Sequence, residues 1–306
     1  MPPSNYPNGF PNGLINQGLP VLNTYGGNVF WVDSNGGGNG NPGTYIKPFA
    51  SIDYAVGRCT ANNGDYIMVK AGHTETVTAA GGLDIDVAGI TIVGLGNGSD
   101  RPTVNFTTVV GADMDIDAAN ITIQNFLFTG GVDALTGPID INAADCKLLN
   151  IETRDVTGQT TDFIVTDANA DRLLIDGWIH RGAAADGADS AITIVGGDDI
   201  EIKNFNLYGN FDQGAIENVG TAAVRINVHD GYIWTEGAED LAIVMAAATT
   251  GAIGPNIYIR LQDDAQNITE ATVGAACHFF QPISLVNADG ESSLFTNITA
   301  STDAIV

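Results

Sequence analysis

The sequence is poor in base. Eleven lysines and arginines face 36 aspartates and glutamates, a formal net charge of −25 over 306 residues. A surface that acidic repels nucleic-acid phosphates and anionic lipid, so neither is an expected partner. Charged residues of either sign are 15% of the chain against 44% apolar, a balance that excludes a disordered polypeptide. Cysteine is scarce. Cys59, Cys146 and Cys277 lie far apart, match no zinc spacing and, being odd in number, complete no disulfide framework. They read as small buried hydrophobes. No run of ~20 apolar residues occurs and no basic-apolar leader opens the chain, so neither a membrane span nor a Sec-exported precursor is expected. The glycine-asparagine loop Asp33 to Gly43 is not followed by Gly-Lys-Ser/Thr, which leaves a nucleotide reading little weight. A Gly-x-Ser-x-Gly elbow is missing as well, which excludes an α/β-hydrolase. His73, His180, His229 and His278 lie in separate segments without metal-ligand spacing.

What is abundant is turn chemistry, with 38 glycines and many Asn, Asp and Thr residues. Residues 1–28 form a segment of their own. Pro2, Pro3, Pro7, Pro11 and Pro20 forbid regular helix or central strand. Yet Tyr6, Phe10, Leu14, Ile15, Leu19, Val21, Leu22 and Tyr25 make it too apolar for a free tail. Either it packs along its own domain or it docks on a neighbouring chain; a docking arm is the expectation. Residues 29–82 read as a cap: a strand from Val29 to Val32, the Gly/Asn loop, a short amphipathic helix on Phe49, Ile52, Ala55, Val56 and Cys59, then a strand from Tyr66 to Lys70.

From Leu83 the chain repeats. Similar alternating segments begin at Leu83, Met114, Ile139, Ile164, Ile192 and Ile216, at successive differences of 31, 25, 25, 28 and 24 residues. Each is a short strand, a small-residue turn, a second strand and a variable loop. That period, with two or three strands per unit, marks a parallel β-solenoid whose coils bury their inner faces only by stacking. A mean near 25 suits a three-faced coil. Coils are expected over residues 83–270, with 271–306 as a C-terminal cap or hairpin in which Phe279 and Phe280 cover the last coil. Side chains alternate along a strand, so Met114 and Ile116 point in while Asp113, Asp115 and Asp117 point out. Asp84, Asp86, Asp140 and Asn142 follow the same rule. Stacking then builds an acidic ladder in which like charges repel at strand spacing.

At residues 48–77 the chain resembles the opening of pectate-lyase-like right-handed β-helix proteins. The likeness rests on Pro48-Phe49 in the cap helix, Gly64-Asp65, the hydrophobic strand Ile67 to Val69, and Gly72. With the coils it extends over about residues 29–270 and implies an all-β, right-handed parallel β-helix. The chain with its Asn-Pro-Gly arm also looks like β-helix proteins among tailed-phage virion genes. Family enzymes supply tests of activity. Pectate lyases use Asp/Glu-bound calcium beside a basic residue, and here Asp113, Asp115 and Asp117 are the candidate cation contacts, on a strand face that makes a poor cage. The bases are scattered about one per coil, with no pair obviously grouped beside an acidic cluster. Polygalacturonase-like hydrolases pair carboxylates across a glycosidic bond. Gly196 to Asp199 matches their Gly-Asp-Asp element, making Asp198 and Asp199 candidate catalytic carboxylates, but the companion Asn-Thr-Asp, Gly-His-Gly and Arg-Ile-Lys elements are missing. Gly-Gly-Asp-Asp is also ordinary turn chemistry. Tyr232 and Trp234 alternate around Ile233 and could form a sugar-stacking platform or an ordinary exposed pair.

These readings favour a non-enzymatic virion structural protein: a capsid decoration (cement) protein on the outer surface of a phage particle. The arm would anchor it to the major capsid protein or another virion protein. A homo-oligomer is expected, a trimer fitting side-by-side β-helices, with no cofactor beyond a loosely bound divalent cation. The alternative is a polysaccharide-binding or depolymerising tailspike or lyase-like enzyme. A further alternative is a cell-surface or filament-forming β-helix.

Overall fold

The structure, a computed structural model, describes residues 27–155, 160–185, 187–236, 242–246, 248–262, 276–286 and 292–294, together with the backbone of 14–16 and 19–21. It is a parallel β-helix. One face is a seven-stranded sheet whose strands run Leu83–Asp84, Met114–Ile116, Ile139–Ile141, Asp162–Thr166, Ser190–Ile194, Ile216–Asn218 and Ile243–Val244. Leu83, Met114, Ile139, Ile164, Ile192 and Ile216, the positions that open the six repeats, stand in one in-register row, and Ile243 extends it. The repeats are therefore coils.

Among the described residues the other two faces belong to one continuous 18-stranded sheet, folded along a corner that the two long strands Glu201–Gly209 and Ile226–Thr235 cross without a break. On the second face Ile67, Ile92, Ile123, Leu148, Ile175, Ile202, Val228 and Ile253 form an inward column. None is more than 2% exposed. Burying one such side chain contributes about 1.5–3 kcal/mol, so stacked coils supply the core that no single coil can. On the third face the inward column is Val104, Phe128, Thr153, His180, Leu207, Ile233 and Ile259. Its polar members bond to one another: Thr153 Oγ1 accepts from Trp178 Nε1 at 2.9 Å and lies 2.8 Å from His180 Nδ1, while His180 Nε2 finds no partner among the described residues. Burial, then the charge of Arg181, pushes His180 down to about 3, so it sits in the core as neutral imidazole.

Both corners of the second face use left-handed backbone. At the entry corner Asn120, Asp145, Arg172, Asp199 and Arg225 have φ between 57° and 65°. At the exit corner Asn125, Asn150, Asn204, Asp230 and Asn256 have φ between 50° and 63°, with Gly177 in the same role. Asn and Asp tolerate this region better than other residues carrying a Cβ. The exit-corner amides also link coils: Asn150 Nδ2 donates to Asn125 Oδ1 at 3.1 Å and Asn204 Nδ2 to Asp176 Oδ1 at 2.8 Å.

The helix, Ile52–Val56, is capped by Ser51 and buries Ile52, Ala55 and Val56 over the first coil. Asp65, of the Gly-Asp pair, is fully buried and accepts from Thr60 N at 2.6 Å and Asn63 Nδ2 at 2.8 Å, which ties the loop after the helix to the start of the strand Tyr66–Val69. Cys146 is buried, while Cys59 and Cys277 are half-buried, their thiols pushed up to about 12 and about 11 chiefly by burial. None is a ready thiolate. At the far end Ala276–Phe279 and Ile283–Val286 pair in parallel with the coil before them, and Ser292–Leu294 folds back antiparallel on the latter. Phe279 continues the inward column and Phe280 is 53% exposed. In the arm, the backbone of Leu14–Asn16 pairs antiparallel with Leu19–Val21. The side chains of its apolar residues, Tyr6 through Tyr25, lie outside the described residues, and so does what they touch.

Candidate functional site

Three surface constellations follow from these rows. The first is the outer face of the seven-stranded sheet. Asp84, Asp115 and Asp140 stand directly beside one another on adjacent strands. Asp113 and Asp117 flank Asp115 on the same face, and Asn142 Nδ2 donates to Asp117 Oδ1 at 2.9 Å. Partial burial, then the charges of Asp113, Asp140, Asp117 and Asp84, raises Asp115 to about 6. Asp84, Asp113 and Asp140 are raised too, burial being the largest cause in each. Among the described residues no three His, Cys, Asp or Glu side chains are placed to hold a metal ion. Further along the face, Thr193 Oγ1 lies 2.6 Å from Asp162 Oδ1 and 2.8 Å from Glu217 Oε1. One hydroxyl carries one hydrogen, so two such contacts require a proton on one of the two carboxyls. Burial raises both.

The second constellation is the entry corner. The scatter of bases about one per coil becomes pairing once the coils stack. Arg172 grips Asp145 through Nε and Nη2 at 2.7 and 2.9 Å. Arg225 grips Asp199 at 2.6 and 2.7 Å and reaches Asp198 at 3.3 Å. Asp198 and Asp199 therefore share one guanidinium, and the hydrogen bond from Arg225 holds the Asp199 carboxyl below the usual range. A carboxylate so engaged is a poor proton donor.

The third is the outer face of the third stack, where the two outward rows carry rings. Asn206, Tyr232 and Tyr258 stand side by side in one row, and Arg181, Tyr208, Trp234 and Arg260 in the next. They point out because Leu207, Ile233 and Ile259 between them point in. Tyr208 meets Trp234 edge-on with centroids 5.2 Å apart, and the Arg260 guanidinium lies 4.1 Å from the Trp234 ring centroid. Tyr258 is 52% exposed. Burial, then a hydrogen bond to Glu236, raises the Tyr208 phenol. Trp234 Nε1 is shielded from solvent yet finds no acceptor among the described residues. Arg181 donates to Asn206 Oδ1 at 3.0 Å, and among the described residues neither Arg181 nor Arg260 meets a carboxylate at ion-pair distance. Toward the N-terminal end Glu152 is held by Arg101 at 3.2 Å and Arg154 at 2.6 Å. The sequence pair Tyr232 and Trp234 is thus half of a larger surface. Tyr208, Tyr258, Arg181 and Arg260 come from neighbouring coils and were missed. A 26-residue offset finds most of them, since 208 + 26 = 234, 232 + 26 = 258 and 234 + 26 = 260.

No protein-family model matches the sequence, and no curated protein does. Among solved structures, a rhamnogalacturonan lyase aligns with 79% of this chain and 75% of its own at 14% identity and a TM-score of 0.47. A GH136 lacto-N-biosidase from Eubacterium ramulus aligns with 77% of this chain and 56% of its own at 13% identity and a TM-score of 0.38.

Proposed function

We propose that this protein is a carbohydrate-binding β-helix that takes a glycan across Tyr208, Tyr232, Trp234 and Tyr258. The observation that carries the reading is the pair of in-register aromatic rows, aimed outward and set on rigid strands at ~4.8 Å spacing. Tyr and Trp combine a flat apolar body with a polar edge, which suits a sugar ring with its apolar C–H face and hydroxyl rim. Fixed rings lose little side-chain entropy on binding. Arg181 and Arg260 add donors at the rim. Engagement of Asp198 and Asp199 by Arg225 at another corner favours binding over cleavage at this surface.

The test is affinity electrophoresis against a panel of soluble polysaccharides, with calorimetry on any that retard the protein. Tyr258→Ala and Trp234→Ala should each weaken binding about tenfold or more, the range of an aromatic hot spot, with the melting temperature of the exposed Tyr258 variant unchanged. Equal affinity in both variants would remove the site from this face.

A further inference from the structure

His229 lies on the strand that carries Tyr232 and Trp234, just before its corner. Its Nδ1 is 2.6 Å from Asp230 Oδ2, and its Nε2 is 3.1 Å from Glu201 Oε1 on the adjacent coil. Carboxylates accept and do not donate. A neutral imidazole has one N–H, so both contacts are satisfied together only when both nitrogens are protonated. The imidazolium then clasps two coils. A third joins through Asn256, whose Nδ2 donates to Asp230 Oδ1 at 2.7 Å.

We propose that His229 is a pH-sensitive clasp that holds the aromatic face in its binding arrangement. The proposal rests on the carbohydrate reading for its consequence, though not for its geometry. Asp230 is the left-handed corner residue at φ 53°, and the rings follow it immediately. The corner is packed closely, a Cβ on Gly231 standing 2.0 Å from the Phe205 ring, so a shift there is passed along the strand rather than absorbed locally. Loss of one proton leaves an imidazole lone pair facing a carboxylate. That repulsion is relieved by moving the corner, and Tyr232 and Trp234 move with it.

Every charged group around the ring bears on the sign. Glu201 and Asp230 favour the cation. Lys203, directly opposite His229 in register, opposes it, but Glu201 Oε2 takes the lysine at 3.2 Å. Asp176, in register with Lys203, is tied to Asn204. Partial burial works against the charge, yet the hydrogen bonds to Asp230 and Glu201 prevail and raise His229 above the ordinary 6.5. A base whose folded pKa is raised contributes fully below its unfolded value and loses that contribution as pH rises through the folded one. The clasp therefore opens on the alkaline side.

The experiment is an NMR titration of the histidine ring protons in the full chain, assigned with His229→Gln, beside glycan affinity from pH 5.5 to 9. The expected result is a His229 midpoint above 6.5, lowered by Asp230→Asn. Affinity should fall at least about threefold across that midpoint in the parent and stay flat in His229→Gln. A midpoint at or below 6.5 overturns the clasp. So does a high midpoint with pH-independent affinity. If no glycan binds at any pH, the carbohydrate reading falls. The clasp is then judged by Trp234 fluorescence, taken as the difference from Trp234→Phe: a step at the His229 midpoint supports it and a flat signal overturns it.

Discussion

Two stacks of charged side chains stand a corner apart on successive coils, sharing the coil of Asp140 and Asp145, and they obey opposite rules. On the seven-stranded face, stacking sets Asp84, Asp115 and Asp140 side by side, and like charges in register destabilise one another. At the entry corner the same stacking sets Asp145, Arg172, Asp199 and Arg225 one above another, with guanidinium gripping carboxylate. A solenoid multiplies whatever its repeat contains. If the repeat puts an acid at one position in every coil, the surface collects unbalanced charge. If acid and base alternate, the surface is a ladder of ion pairs. Partial burial first, and their like neighbours after it, make the aspartates of the first stack hold protons more tightly. Asp199 in the second gives its proton up more readily.

The largest effect comes from making the first stack copy the second. Asp115→Lys would place a cation between Asp84 and Asp140, removing two like-charge contacts and adding two opposite ones. Each pair is partly exposed, so the expected gain is about 1 kcal/mol at pH 7.5, read as a higher urea midpoint with unchanged slope. A loss of stability would mean that the row is already balanced by something other than its neighbours.

A smaller effect sharpens the same contrast through pH. A carboxyl with a raised folded pKa binds its proton more tightly folded than unfolded. Its contribution is greatest at acid pH and declines as pH climbs from the ordinary 3.8 through the folded value, about 6 for Asp115. Between pH 4.5 and 7 the parent should therefore lose stability with rising pH, and Asp115→Asn should lose less. Identical slopes in denaturant titrations at the two ends would remove Asp115 as the cause.

The contrast also explains how much could be read beforehand. Hydrophobic alternation at Leu83, Met114, Ile139, Ile164, Ile192 and Ile216 survives loop variation, because each anchor must reach the core whatever precedes it. The fold, and the outward set of Asp113, Asp115 and Asp117, follow from that alone. The corners do not, because what marks them is a backbone conformation. Asn120, Asp145, Arg172, Asp199 and Arg225 share a left-handed φ but no side-chain chemistry. Arg172 and Arg225 therefore looked scattered while lying beside their partners. The aromatic face was half legible for the same reason: Tyr232 and Trp234 are neighbours in sequence, whereas Tyr258 and Arg260 become neighbours only when the 26-residue coil closes. The bridge made by His229 is illegible in the sequence because one of its two acids, Glu201, is likewise a coil away.

The smallest effect tests whether the ion-pair ladder holds register or merely follows it. In Arg225→Gln the bidentate grip on Asp199 is lost, but both side chains are about half exposed, at 57% and 44%, and exposed ion pairs contribute little. The corner also keeps other ties: Asp199 N still donates to Val224 O at 2.8 Å, and Arg225 N, a backbone group that the substitution retains, to Thr250 Oγ1 at 2.9 Å. The melting temperature should move by on the order of a degree. What should change is the Asp199 carboxyl, which returns toward the ordinary range once its guanidinium is gone, visible in the titration of its carboxyl carbon. A shift in Asp199 with a nearly constant melting temperature would assign register to the hydrophobic columns, with the charges arranged afterwards. A drop in stability as large as the gain from Asp115→Lys would reverse that order and make alternation of charge part of what sets the coil length.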